Sequence, residues 1–381
     1  MSFQSLSAER KAQLKRISQL RGGRDIIVYA ADARKHKPPT ISASIDTSDL
    51  LPFSDQLSNM SGGQVDVILD TPGGVGEVAE DIVRQLRFKY ADVAFIVPGS
   101  AKSAGTIMVM SGNEILMEPS SSLGPIDAQL SWQGKTFSAE AFLEGLKKIK
   151  DETDQTKALN RAYIPILQNI SPGDIQHAEN ALSFARTLVT EWLCNYKFQH
   201  WTTHSSTGAP VTEEERRGRA GEIAAELCNH SRWLSHGRSI KMADLQSMRL
   251  KITDYSRMRD LFDAIRRYHT LLQMTFETNI YKLFETPSSQ IFRFARQGET
   301  PNPALSPVVK DAGSAVAEFK CASCGTNLKI QMDFKKGQAL QAGCLRYPKN
   351  DILACPQCKN DLNLADLRRQ AEATTKKEVL R

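Results

Sequence analysis

The sequence predicts an α/β fold built on a mostly parallel sheet, extended by helices and followed by a small metal-stabilised module. Strand-like and helix-like patterns alternate from Asp25 to about Ile252, which is typical of sheets whose strands are joined by helical crossovers. Five of the seven cysteines lie at or after Cys321, and four of these form two Cys-x-x-Cys pairs. The alternation predicts the large domain, and the cysteine pairs predict the module.

The individual elements follow from hydrophobic periodicity. Within residues 1–24, Leu6, Leu14, Ile17 and Leu20 lie along one side of a predicted amphipathic helix. "DIIVYAAD" and "QVDVILD" then predict buried strands, "VGEVAEDIVRQLRFKY" predicts a helix, and "VAFIV" predicts the next strand. "SGNEILMEPSSSLGPID" predicts a short strand that runs into a loop, after which the pattern is nearly all helical.

These patterns divide the chain into six predicted segments. They are an N-terminal helix (1–24), the α/β domain (25–252), a helical extension (253–300), a linker (301–318), the cysteine module (319–367) and a charged tail (368–381). The extension carries an apolar stripe at helical spacing, which predicts packing rather than a ligand site. The residues of that stripe are Leu261, Ile265, Tyr268, Leu272 and Phe276.

The composition is that of an ordinary globular protein and does not indicate a nucleic-acid partner. Lysine and arginine outnumber the acidic residues by 49 to 43, and a net charge of +6 is too mild to indicate nucleic-acid binding. No segment approaches the roughly 18–20 consecutive apolar residues of a membrane span. The first residues also lack the apolar core of a signal peptide. We therefore expect a cytoplasmic protein without a membrane span.

Two glycine-rich turns follow neighbouring predicted strands. The first is "LDTPGGVGE", in which Pro72 fixes one backbone dihedral while Gly73 and Gly74 allow conformations closed to other residues. A tight strand-to-helix connection would explain this turn, and so would a glycine N–H that donates to an oxyanion. The second turn is "GSAKSAGT", which leads into an apolar helix.

Ser103 stands at the predicted start of that helix. Its hydroxyl could cap the helix by accepting a hydrogen bond from the first turn. It could instead be a nucleophile, because unpaired N–H groups and the positive end of the helix dipole surround it. In that interpretation the N–H of Ala104 is placed to stabilise an oxyanion.

The motifs together resemble the serine peptidases of the Clp protease and signal peptide peptidase superfamily. Within it the chain is most similar to the serine dehydrogenase proteinases, through the runs Lys102–Thr106, Leu123–Asp127 and Ser235–Gly237. The resemblance covers about residues 25–252. It implies a Clp/crotonase fold of stacked βαβ units, a peptide or protein substrate, and assembly into a homo-oligomer. It also implies that Ser103 is the nucleophile and that the amides of Gly74 and Ala104 form the oxyanion hole.

The general base of the family cannot be assigned directly to one residue of this chain. Where Clp-type enzymes carry a histidine, this chain has Asp127, and His236 lies where they place their aspartate. Signal-peptide-peptidase relatives use a lysine near the start of the next helix. Here Lys135 lies just ahead of that helix, and none of the lysines falls on the motif position, including those further along it: Lys147, Lys148 and Lys150. Our hypothesis is that Ser103, Asp127 and His236 converge, with His236 or a lysine as base. The alternative is that Asp127 caps a helix or pairs with Lys102, and His236 is structural.

The remaining candidate residues receive structural interpretations. Lys102 directly precedes the serine, so its side chain should point away from it. The other histidines lack partners at metal-ligand spacing and are interpreted as ordinary residues: His36, His177, His200, His204, His230 and His269. Two rival functions stay open, namely a catalytically silent scaffold and acyl-CoA chemistry on the same fold.

The two Cys-x-x-Cys pairs predict a zinc ribbon. Cys321 and Cys324 form the first pair, and Cys355 and Cys358 form the second. Four thiolates close a tetrahedron around Zn²⁺ and leave no open position, so the ion would be structural. Cys344 lies between the pairs and is spare. The scattered lysines of the module do not form a basic aromatic surface, so docking of a protein partner or capture of substrate is expected rather than nucleic-acid binding.

Overall fold

The chain forms two compact units, residues 1–295 (the large unit) and residues 296–381 (the small unit). The computed structural model describes residues 3–35, 41–132, 135–204, 206–295, 313–321, 324–375 and 377–380. Across those ranges we find no helix with the length and apolar content that crossing a bilayer requires.

The large unit is a mixed α/β structure. Its helices are α1 (Phe3–Leu20), α2 (Leu50–Ser58), α3 (Gly76–Lys89), α4 (Ala104–Met110), α5 (Ala139–Thr156), α6 (Ile164–Leu167), α7 (Pro172–Trp192), α8 (Glu213–Cys228), α9 (His230–Trp233), α10 (Met242–Ser247) and α11 (Arg259–Phe276). Its strands are β1 (Asp25–Ala31), β2 (Gln64–Asp70), β3 (Asp92–Val97), β4 (Ser100–Ala101), β5 (Glu114–Met117), β6 (Ser122–Leu123), β7 (Gln129–Trp132), β8 (Lys135–Ser138), β9 (Thr253–Asp254), β10 (Ile280–Glu285) and β11 (Gln290–Phe294).

The main sheet has the strand order β11-β10-β1-β2-β3-β5-β9. Neighbouring strands from β1 to β9 are parallel, while β10 and β11 are added antiparallel at one edge. The prediction of an α/β fold with a mostly parallel sheet is therefore confirmed. Because β2 and β3 are parallel neighbours, the turns that follow them meet at one edge of the sheet.

Both faces of the sheet are buried, which explains why its strands are apolar without alternation. Ile26 and Val28 pack against α1 and α11 on one face, where the predicted apolar stripe of α11 is buried. Ile27 and Tyr29 face the opposite side, together with apolar residues of α3, α4, α7 and α8. The glycine-rich turns join strands of this sheet to α3 and α4.

The predicted helical extension is wrong beyond Phe276. Helix α11 ends there, and the chain returns as β10 and β11 instead of continuing as a helix to residue 300. β10 pairs with the edge strand β1, from Val28 opposite Glu285 to Ala31 opposite Lys282. This long-range pairing overrides the local helical pattern, and residues 296–300 lie outside the described ranges.

The small unit has its own sheet and core. Its elements are β12 (Ser314–Lys320), β13 (Asn327–Asp333), β14 (Cys344–Arg346), β15 (Ile352–Ala354), β16 (Asp361–Asn363) and α12 (Ala365–Thr375). β12 and β13 are antiparallel, and β14 joins β13 in parallel. The end of the predicted linker is thus strand, because Ala315 and Ala317 pack into this core. The start of the predicted tail is helix, since Ala371 is buried there as well.

Candidate active site

The two glycine-rich turns lie directly against each other. Thr71 N donates to Ser100 O (2.8 Å), and Lys102 N donates to Thr71 O (3.0 Å). A Cβ added to Gly73 would lie 2.5 Å from Lys102 O and 2.8 Å from the Cβ of Ser103. Gly73 also has φ +94°, so glycine is required both for its conformation and for this close approach. The fold therefore holds the first turn next to Ser103.

The neighbouring Gly74 is held by Ile45. Ile45 N donates to Gly73 O (2.7 Å), and Val75 N donates to Ile45 O (3.0 Å). In a planar trans peptide the C=O of Gly73 and the N–H of Gly74 point in opposite directions. Because the C=O points at Ile45, the N–H of Gly74 points away from it. Gly74 also lines the cavity that contains Ser103.

We expect Gly74→Ala to destabilise the protein by about 2 kcal/mol or more, because its φ of +153° is strained for other residues and its Cβ would meet backbone. That Cβ would lie 2.3 Å from Ile45 O. Chemical denaturation of the purified variant measures the loss. Gly145→Ala, in α5, is the matched control, because a Cβ there meets nothing within 4 Å. Equal stability of the two variants would contradict the prediction.

Ser103 occupies the N-cap position of α4 but does not use its side chain as a cap. Its backbone has φ +48° and ψ −116°, an unusual conformation for a residue with a Cβ. The capping interpretation is therefore wrong, because the Ser103 hydroxyl accepts no hydrogen bond from the first turn of α4. Ala104 is the first helical residue, and such residues have N–H groups without helical partners.

A cavity of about 650 Å³ brings the predicted residues together. Its wall includes Gly74, Ser103, Ala104, Asp127 and His236. Apolar residues of α4 and α7 complete the wall, among them Ile107, Phe184 and Ala185. Within the described ranges no hydrogen bond joins the Ser103 hydroxyl to His236. The structure thus places the predicted nucleophile, the predicted base and the predicted amide donors around one cavity, without a hydrogen bond between the serine and the histidine.

Asp127 is buried and holds two histidines. Its Oδ1 lies 2.7 Å from His236 Nδ1, and its Oδ2 lies 3.2 Å from His230 Nδ1. Burial alone would raise the pKa of Asp127, but hydrogen bonds and charge from His236 and His230 outweigh it, so the pKa lies below its ordinary value. With Nδ1 directed at Asp127, His236 keeps Nε2 for a second partner. The alternative pairing of Asp127 with Lys102 is wrong.

His230 is a site residue that the sequence interpretation missed. We had interpreted it as ordinary, yet it is bonded to Asp127, and its backbone N–H donates to Glu140. It begins the short helix α9 and does not line the cavity, whereas His236 does. His177 was missed as well and lines the same cavity from α7. The sequence around His230 and His177 does not indicate these positions, because they arise only when distant parts of the chain fold together.

Lys102 directly precedes Ser103 in the chain. Lys102 points away from the cavity, as predicted, and its Nζ donates to Leu123 O and Ser239 Oγ, both at 2.9 Å. Burial, with a contribution from Lys241, lowers the pKa of Lys102 to about 8. The side chain of Lys135 lies outside the described part of the structure. Lys102 is absent from the cavity wall, so it does not face Ser103 Oγ there.

The four predicted metal ligands cluster in the small unit. The Sγ atoms of Cys321, Cys324, Cys355 and Cys358 all lie within 4.8 Å of one another. The Cys321–Cys358 and Cys324–Cys355 sulfurs are each 3.7 Å apart. Tetrahedral coordination with metal–sulfur bonds of about 2.3 Å requires sulfurs about 3.8 Å apart. The residues therefore fit a bound metal ion, while Cys344 lies outside the cluster.

The two cysteine pairs are also built alike. Gly325 N donates to Cys321 O (2.8 Å), and Lys359 N donates to Cys355 O (3.0 Å). Gly325 and Lys359 both adopt positive φ, of 74° and 62°. This repeated turn brings each pair of sulfurs to the same side of its loop, which is what a shared ion needs.

Comparisons with known proteins find similarity over part of the chain. Two uncharacterized proteins of Methanocaldococcus jannaschii, MJ1495 and MJ0137, are each 32% identical over 89 and 90 residues. The alignments cover 23% of this chain and only 30% and 32% of those relatives. A solved structure of a mutant 1510-N membrane-bound stomatin-specific protease aligns at 15% identity and a TM-score of 0.32, over 56% of this chain and 78% of that chain.

A family model described as ClpP-like SDH-type serine proteinase matches residues 58–182. That range includes Gly74, Ser103 and Asp127, but His236 lies beyond it. Residues 58–182 are therefore similar to the ClpP-like SDH-type serine proteinases.

Proposed function

We propose that the protein is a serine peptidase that cleaves peptide bonds through an acyl-enzyme on Ser103. The observation that supports this most directly is the cavity shared by Ser103, Gly74, Ala104 and His236, with Asp127 behind the histidine. The family match over residues 58–182 supports the same reaction class. In this proposal residues 25–252 form a Clp/crotonase domain of stacked βαβ units.

The reaction follows from the placement of these groups. Ser103 Oγ bonds to the substrate carbonyl carbon as its proton passes to His236 Nε2. The carbonyl oxygen becomes an anion that accepts hydrogen bonds from the N–H groups of Gly74 and Ala104. The C–N bond then breaks, and the leaving amine takes the proton from His236. Asp127 orients His236 and stabilises its charged form, and water hydrolyses the ester by the same steps.

A histidine base predicts a specific order of mutational effects. We expect His236→Ala to slow labelling by a fluorophosphonate probe at least about a hundredfold, because general-base catalysis contributes on that order. Lys102→Met should label within a few-fold of wild type, since its ammonium bonds Leu123 and Ser239 outside the cavity. Pseudo-first-order labelling rates measure both variants. The reverse order would overturn His236 as base and leave a lysine, including Lys135, as the candidate.

A catalytically silent scaffold is the second candidate. It is favoured by one observation, that Ser103 and His236 are not hydrogen-bonded in the structure. Catalytic hydrogen bonds are often formed only with substrate present, which keeps the peptidase proposal ahead. Complete failure of the wild-type protein to react with the probe would favour the scaffold. Acyl-CoA chemistry does not require the Ser103 hydroxyl and would survive its removal.

The small unit is proposed to be a zinc ribbon with a structural ion held by Cys321, Cys324, Cys355 and Cys358. Zn²⁺ bound by four thiolates would stabilise the fold and take no part in peptide cleavage. We propose that the ribbon contacts a protein partner and that the large unit assembles into a homo-oligomer. We also propose a cytoplasmic location, which the lack of disulfide bonds among the described cysteines supports.

A further inference from the structure

Strand β10 carries a fully buried lysine. Lys282 is 0% exposed, although burying a charge is costly unless it is paired. Its Nζ donates to Ser44 O (2.6 Å), to Asp46 Oδ2 (3.0 Å) and to both carboxylate oxygens of Asp49 (2.8 and 2.9 Å). An ammonium has three N–H donors, and three residues accept them here. The ammonium of Lys282 is therefore fully hydrogen-bonded to one short segment of chain, residues 44–49.

The network also fixes that segment from its other side. Asp49 Oδ2 accepts from the backbone N–H of Asp46 (3.0 Å) and from the Tyr29 hydroxyl (2.9 Å). Lys282 and Asp49 thus hold a backbone group on each flank of Ile45, namely the carbonyl of Ser44 and the amide of Asp46. Ile45 itself is buried. Its peptide groups have little freedom to move.

Ile45 is the residue that orients Gly74. It accepts the N–H of Val75 and donates to the C=O of Gly73, so it fixes the peptide group whose N–H belongs to Gly74. A displacement of Ile45 would rotate that peptide and redirect the N–H. The contacts therefore run without a gap from Lys282 through Ser44 and Ile45 to the proposed oxyanion donor.

We propose that Lys282 is a positioning residue for acyl transfer, acting through Ile45 to aim the Gly74 N–H into the cavity of Ser103. This inference rests on the proposed peptidase function. Oxyanion donors must meet the charge that develops in the transition state, and misplacement by about 1 Å can cost about a hundredfold in rate. The loss should fall on kcat rather than KM, because the donor acts on the transition state.

The same strand supplies a matched control. Glu285 lies on the opposite face of β10, where it forms a fully buried ion pair with Arg10 of α1 (3.1 Å). Tyr268 of α11 also donates to Glu285 (2.9 Å). This pair is as buried as Lys282 but contacts α1 and α11, and neither Arg10 nor Glu285 lines the cavity of Ser103. Removal of either cation takes the nearest positive charge away from a buried carboxylate, Asp49 in one case and Glu285 in the other.

The experiment compares Lys282→Met with Arg10→Met in the full-length protein. Steady-state hydrolysis of a chromogenic peptide gives kcat and KM, and fluorophosphonate labelling gives the fraction of active sites. Thermal unfolding sets an assay temperature at which each variant is folded. We expect Lys282→Met to lower kcat by about ten- to a hundredfold with KM unchanged. Arg10→Met should keep the wild-type kcat per active site despite its lower melting temperature.

Three results would overturn the proposal. They are an unchanged kcat in folded Lys282→Met, an equal loss of kcat in Arg10→Met, or a change confined to KM. If Lys282→Met does not fold, Asp46→Asn replaces it, because the Asp46 side chain is one-third exposed and its loss of charge weakens the same network. An unchanged kcat in Asp46→Asn then overturns the proposal. A wild-type protein that neither labels nor hydrolyses peptide overturns both the peptidase function and this inference.

Discussion

Ser103→Ala is expected to abolish fluorophosphonate labelling and to lower peptide hydrolysis by about 10⁴-fold or more, the scale on which serine nucleophiles contribute. No other group takes over the bond to the carbonyl carbon, so the loss should appear in kcat. The fold should persist, because the Ser103 side chain makes no capping hydrogen bond and alanine carries the same Cβ, so the substitution does not change the backbone strain. We expect the free energy of unfolding to change by less than about 0.5 kcal/mol.

Ser111→Ala is the control at the other end of the same helix. Ser111 is buried and donates to Met108 O (2.6 Å), so its replacement removes a real hydrogen bond from α4 without touching the cavity. Its labelling rate should equal that of wild type. Undiminished labelling of Ser103→Ala would end the peptidase proposal. Mass spectrometry of the labelled wild-type protein should place the adduct on the peptide that contains Ser103.

Removal of metal is expected to unfold the small unit. Chelation should abolish hydrogen-exchange protection in residues 313–380, because thiolate zinc sites supply about 10–16 kcal/mol and a core of this size is insufficient without them. Hydrogen-exchange mass spectrometry of the full chain, with and without chelator, measures the change. Metal analysis should find one zinc per chain before treatment. Retained protection after complete removal of zinc would contradict the prediction.

Two cysteine variants separate the metal site from general thiol effects. Cys355→Ser should lose zinc and exchange protection, since Cys355 is one of the four clustered ligands. Cys344→Ser should retain both, because Cys344 lies in β14 outside the cluster although it is also buried. Loss of zinc from both variants would mean that the ion is held by a different set of thiols.

The features that could be predicted from sequence are those that local chemistry determines. Gly73 and Gly74 have positive φ, which few other residues tolerate, and the Cys-x-x-Cys spacing itself closes each metal-binding turn. The position of Ser103 at the start of α4 was predictable for the same reason, because strand, turn and helix are consecutive in the chain. The mixed α/β fold followed from periodicity alone.

The features that were missed depend on contacts between distant residues. His230 contacts Asp127 across 103 positions, and Lys282 contacts Ser44 across 238. A lysine within a predicted helix gives no indication that it will become a buried cation in a sheet. The pairing of β10 with β1 brings Lys282 into that position, and local patterns do not encode such a pairing.

The position of β10 in the chain has a consequence for biosynthesis. The parallel strands and both glycine-rich turns leave the ribosome well before residues 280–285, which must then return to the edge strand β1. Closing so long a loop is a slow, late step of folding. On the proposed role of Lys282, Ser103 is synthesised before the residue that helps to aim the Gly74 N–H, so full peptidase activity would require β10 to have paired with β1.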